Sequence, residues 1–184
     1  MKFSVSIATC LLGATLMAQP ASPESAKLLA DAQKTYASAL KSQSPAMKTK
    51  VSALASELEK FFAVNLKISK ALWKDSTEDV AFSRHFIYRD LTSMMAGRDY
   101  PGDMSMKFAI AKYPEIEKLA SGKQKDPDLK RLSSADRMAL KALIAQSKAS
   151  ANRLKSMSLT LTKTQQNWVG SIAAGMLGSV LGEG

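Results

Sequence analysis

The chain has 184 residues, with 26 Lys or Arg against 16 Asp or Glu, a formal charge of +10 at neutral pH. One Cys and one His leave a disulfide framework, a catalytic triad, a histidine-rich zinc site and a paired Glu-x-x-His di-metal site short of parts. A content of 46% hydrophobic residues excludes wholesale disorder, and the net charge points to acidic partners.

The opening segment MKFSVSIATCLLGATLMAQPAS combines Lys2, an apolar stretch from Val5 to Met17 and small residues around Ala18 and Ala21. That is the pattern of a secretory signal peptide over residues 1–21, which places the mature protein in the periplasm or outside the cell. Ile7-Ala8-Thr9 makes a poor lipobox before Cys10. Cleavage would remove Cys10, so the mature chain must be held together by packing alone. The roughly 160 residues left suffice for one domain with a core.

From there almost every segment has helical period. Ser22-Pro23, Ser44-Pro45 and Asp126-Pro127 each set a capping side chain before a proline suited to the first helical position. The first helix, expected over 23–42, carries Leu29, Ala32, Tyr36 and Ala39 on one face. The second, expected over 45–74, carries Val51, Leu54, Leu58, Phe61, Asn65, Ile68 and Leu72, a heptad seam in which a polar Asn65 fixes register or faces a wet groove. No stretch alternates like a strand between hairpin turns. The expected fold is therefore all-α, an elongated helical bundle with coiled-coil-like seams and a long C-terminal helix.

A third helix over 77–96, begun by a capping box from Ser76 to Asp79, has Val80, Phe82, Phe86, Ile87, Leu91, Met94 and Met95 on more than one side, which predicts the central, most buried element. GRDYPGD then reads as a turn, followed by short helices over 104–113 and 114–121 that Pro114 divides and Gly122 ends. KQKDPD is a charged linker. The last helix starts near Ser134, after a capping box from Ser133 to Asp136, with Leu140, Leu143, Ala151, Leu154, Leu161, Trp168 and Ile172 on its inner face. Run through to Leu181 it would be roughly 70 Å long and outgrow a compact bundle. It must either break, around the hydroxyl cluster at 156–164, or project.

The chain closes on WVGSIAAGMLGSVLGEG, set apart as a small-residue-rich apolar segment over 164–184 after a bundle domain over 22–163. Its consistently apolar part spans roughly 21 Å as a helix against about 30 Å of bilayer hydrocarbon, so a simple membrane span is disfavoured. Ser171, Ala174 or Gly175, Gly178 and Gly182 form a stripe of small residues opposite Ile172, Met176 and Val180, and Trp168 opens the run. Such a stripe lets helix backbones approach closely, while its glycines make a free helix unstable. Something must hold it: the bundle itself, a second copy of the chain, or a membrane interface.

Between Asp136 and Glu183 there is no acid, whereas Arg137, Lys141, Lys148, Arg153, Lys155 and Lys163 are basic. This stretch is the candidate for binding an anionic surface, or else a solvated bundle face. His85 reads as a histidine at the edge of an aromatic core. A b-type haem bundle would need an axial methionine near the mature N-terminus and a histidine in the last helix, and both are missing. Glu57/Glu59 and Glu115/Glu117 are spaced to diverge on a helix, and no phosphate-binding glycine loop occurs. The sequence thus predicts an exported, non-enzymatic interaction or structural protein without cofactor or metal, which binds an acidic envelope surface or self-assembles through its basic, small-residue-rich end, with peripheral membrane contact as one form of that binding. A subunit or chaperone of an envelope secretion or pilus machine is the alternative, a b-type haem-binding bundle is a less favoured one, and nucleic acid is disfavoured as a partner.

Overall fold

The computed structural model describes residues 22–73, 79–122 and 132–182. The segment expected to be a signal peptide, Ser76 of the expected capping box and the KQKDPD linker lie outside the described residues. Among those described, all regular structure is helical: α1 (Pro23–Lys41), α2 (Pro45–Leu72), α3 (Val80–Met95), α4 (Met106–Ile110), α5 (Tyr113–Ala120), α6 (Ser134–Ser158) and α7 (Lys163–Leu181). The helices pack together as a bundle, as the periodicity predicts.

α2 organises it. Ser44 caps its first turn, accepting from the Met47 amide at 3.3 Å, and every seam residue from Val51 to Leu72 is buried. The seam faces α6, which runs antiparallel: Lys50 reaches the Thr160 carbonyl at one end, while Ser147 donates to Asn65 Oδ1 at 2.8 Å farther along. Asn65 also donates to the Phe61 carbonyl at 2.8 Å, and the Tyr113 hydroxyl lies 2.6 Å from Ser147 Oγ. One polar seam position thereby ties α2, α5 and α6 in register, because any slip would strand buried hydrogen-bonding groups.

The long last helix does not form. Ser158 Oγ donates to the Lys155 carbonyl at 2.7 Å and Thr160 Oγ1 to that of Met157 at 3.2 Å, so hydroxyls take up the helix's final acceptors. Thr162 then accepts from the Gln165 amide, and Gln165 returns a bond to the Thr162 amide, a capping box that starts α7. α7 reverses direction and follows the second half of α2, ending where Trp73 Nε1 donates to the Val180 carbonyl at 2.8 Å. The break falls within the hydroxyl cluster that offered one.

α3 begins three residues later than expected, because Asp79 is itself the N-cap, accepting from the Ala81 and Phe82 amides. Nor is it the most buried element. Ile87, Leu91 and Met94 are buried, but Phe82 is 44% exposed and Phe86 is half-buried. α3 is spread between α2 and α1, so its apolar residues face several directions without being enclosed on all of them. Glu59 of α2 holds it through a two-pronged pair with Arg84 and a 2.7 Å bond from the Tyr88 hydroxyl. α1 runs alongside α3: Tyr36 meets Tyr88 edge-on at 5.3 Å, and Gln43 reaches the Met95 carbonyl. Its expected inner residues Leu29, Ala32, Tyr36 and Ala39 are only half-buried.

Candidate interaction surface

α6 has two faces. The inner one presents Leu140, Ile144, Ala151 and Leu154 to the core. On the outer one Met138, Ala142, Ala145, Ala149, Asn152, Ser156 and Leu159 are all exposed, Met138 to 73% and Leu159 to 69%. Their spacings alternate four and three, the register of a coiled-coil seam, here turned toward solvent. Lys141, Lys148 and Lys155 flank it at intervals of seven, on one side of the helix within about 40° of one another. Ala139, Gln146 and Arg153 flank it on the other side, and neither flank holds an acid.

The six cations singled out in the sequence do not form one stripe. Among the described residues Lys141 and Lys155 are exposed and meet no acid. Lys148 is bound by Glu117 of α5 and sits 5.6 Å from the Tyr113 ring centre. Arg137 lies against Gly122, and its buried Nε has no hydrogen-bond partner among the described residues. Arg153 turns to the opposite flank, where it pairs with Glu57 at 2.9 Å. Lys163 belongs to α7 and pairs with Asp103 at 2.9 Å, which holds the Asp103 carboxyl below its ordinary value. Of the basic stretch, Lys141 and Lys155 on α6 are the cations that stand exposed without an acid partner among the described residues.

Glu57 was legible only as one of two diverging carboxylates. It is buried between α2 and α6, accepting from Ser150 at 2.5 Å and from Arg153 Nε at 2.9 Å. Burial pushes its carboxyl up, but the hydrogen bonds from Arg153 and Ser150 and the charges of Arg153 and Lys60 outweigh that, and the net shift is downward. Glu59 points instead to α3.

The apolar end is part of the bundle. Ile172 and Gly178 are buried, and with them Val169, Ala173, Leu177 and Val180, so the apolar face that invited a membrane or a second copy is already covered. Trp168 is half-buried against Tyr100, its Nε1 donating to the Arg98 carbonyl at 2.9 Å, while the Tyr100 hydroxyl donates to Ser171 at 2.8 Å. The close backbone approach is made by Gly170, absent from the expected stripe: a Cβ there would lie 1.7 Å from the Met104 carbonyl oxygen. Gly182 ends the helix at φ +77°, a conformation that favours glycine, beside Trp73 at the end of α2. Among the described residues no helix is long and apolar enough to cross a membrane.

Gly175 and Met176 face elsewhere. They border a cavity of about 810 Å³ between α2, α3 and α7, with Phe62, Leu66, Trp73, Phe82, Phe86, Ile172 and Val180 as apolar walls. Asn65 and Ser69 reach its lining from α2, so Asn65 serves the groove as well as the register. Asp79, Arg89 and Asp90 supply the charges. His85 lies just behind, 4.1 Å from the Phe86 ring, with Nδ1 bonded to the Phe82 carbonyl. It is the edge-of-core histidine its sequence context implies. No protein-family model matches the chain, and neither the curated proteins nor the solved structures contain a match.

Proposed function

We propose that the protein is an exported, non-enzymatic interaction protein that docks on an acidic helix of a partner protein through the outer face of α6. The observation that carries this reading is the register of the exposed Lys141 and Lys155, with Lys148 between them paired to Glu117, beside an exposed heptad line from Met138 to Leu159. A helix laid along small side chains approaches closely, and lysines at the flanking positions select carboxylates on the partner. Two copies of the chain suit each other poorly. Antiparallel, the lysine line meets itself; parallel, it meets Ala139, Gln146 and Arg153. A membrane surface is also less suitable, because an interfacial helix needs a bulky apolar face, and between Met138 and Leu159 at its ends this one offers only Ala142, Ala145, Ala149, Asn152 and Ser156. Such a surface fits a subunit of a larger envelope assembly, in which neighbours supply the acidic helix.

The test uses the mature chain from Ser22, a synthetic acidic helix of four heptads, a basic helix of the same seam, and anionic vesicles. The expected result is salt-sensitive binding of the acidic helix, lost when Lys141→Glu and Lys155→Glu are combined. Binding to vesicles alone, or no binding by the wild-type chain, overturns the reading.

A further inference from the structure

We infer that the cavity between α2, α3 and α7 is a binding site for a small apolar molecule bearing one cationic amine. Its volume of about 810 Å³ lies within the range that holds drug-sized ligands, and its walls are mainly aromatic and aliphatic with a few polar groups. The wall contains an aromatic side chain, Phe82, that is 44% exposed. An apolar ligand would remove that surface from water.

Charge selects the class. In a chain of net +10, the described residues lining this cavity carry two carboxylates, Asp79 and Asp90, against one guanidinium, Arg89. Asp90 is only 10% exposed at its side chain and its Oδ1 receives the Arg89 Nε at 2.7 Å, while Arg89 itself is 54% exposed. The cavity thus holds a mostly enclosed carboxylate whose counter-ion stands largely in water. Arg89 also rests 4.4 Å from the centre of the Phe86 ring, so a cation on an aromatic face is an arrangement the site already contains. A ligand ammonium beside Asp90, with its apolar body between Phe82, Phe86 and Met176, completes both features. A fatty-acid carboxylate in the same place would face two like charges.

Gly175 supplies a clean test. A Cβ built there meets nothing within 4 Å, and the residue borders the cavity, so the side chain of Gly175→Phe starts from open space beside it. The probes are three anthracene derivatives of one shape, carrying a methylammonium, a hydroxymethyl or a carboxylate group, followed by their fluorescence and by that of the tryptophans. The expected result is tightest binding of the ammonium. It weakens at least about tenfold in Gly175→Phe, whose thermal unfolding stays like that of the wild type, and about tenfold in Asp90→Asn. Equal or tighter binding of the alcohol or carboxylate overturns the charge assignment. No binding of any probe, or binding unchanged in Gly175→Phe, overturns the site.

Discussion

Gly170→Ala separates the packing argument from helix propensity, because the two predict opposite signs. In an exposed helix the change would stabilise by up to about 1 kcal/mol. Here the new methyl carbon would stand 1.7 Å from the Met104 carbonyl oxygen and 2.4 Å from the Ser105 carbonyl carbon, both backbone atoms that cannot rotate away. α7 or the 104–105 segment must move by more than an ångström. That displacement strains the bonds that moor α7 beside it, from Asn167 Nδ2 to the Gly102 carbonyl and from Trp168 Nε1 to the Arg98 carbonyl, each 2.9 Å. Overpacking of this kind costs about 1–3 kcal/mol, and each lost bond adds about 1 kcal/mol. After the propensity gain, a net loss of about 2–3 kcal/mol is expected, a fall in Tm of roughly 4–12 °C for a chain of this size. Gly175→Ala is the control: with open space at its Cβ it should raise Tm by about 2–4 °C. Thermal unfolding followed by far-UV circular dichroism reads both. A Gly170→Ala protein as stable as the wild type would refute the packing of α7 described above.

A chain ending at Lys163 should lose cooperative unfolding altogether, since it would expose the inner faces that Val169, Ile172, Leu177 and Val180 cover, at about 1.5–3 kcal/mol for each large side chain; a sharp melting transition in that truncation would contradict this. Ser147→Ala should cost about 2 kcal/mol in urea unfolding, because it leaves Asn65 Oδ1 and the Tyr113 hydroxyl short of a partner inside the core. Burial pushes the Tyr113 hydroxyl up to about 12, with the Ser147 bond opposing. Unfolded tyrosine ionises near 10, so the folded state loses stability from about pH 10 to pH 12, and the wild type should fall more steeply there than Tyr113→Phe. Glu57 has the opposite sign: its carboxyl is held low, so its contribution is present above the ordinary glutamate value and lost as pH falls through the folded value. Glu57→Gln should therefore flatten the acid limb of a stability-against-pH curve, and an unchanged limb would contradict the pairing with Arg153.

Some of this could be read from the sequence and some could not, for physical reasons. The α2 seam was legible because seven positions repeat the same spacing and all of them are buried. The starts at Ser22, Ser44 and Ser133 were legible because a cap is a local contact between residues three apart. The extent of α3 was not, since an apolar residue facing a half-open cavity looks the same in sequence as one facing a core; Phe82 and Phe86 are such residues. Gly170 escaped because a glycine's role depends on which backbone lies opposite, and Met104 is far away in the chain. The cavity's charges could not be foreseen for the same reason: Asp79, Arg89 and Asp90 meet Gly175 only through the fold. The outer seam of α6, by contrast, stood in the sequence as lysines seven apart beside a four-and-three line. The stronger apolar period of the inner face obscured it.

The central claim is that the outer face of α6 is where the protein meets its partner. Photo-crosslinking in intact cells tests it most directly, with a photoreactive side chain placed at Ala145 or Ala149 on that face and at Ala53, exposed on α2, as the control. The account predicts one discrete protein adduct from Ala145 and Ala149, to a partner whose crosslinked segment is an acidic helix, absent from Ala53 and lost with Lys141→Glu and Lys155→Glu combined. Adducts to lipid, adducts to a second copy of the chain, or the same products from all three positions would contradict it.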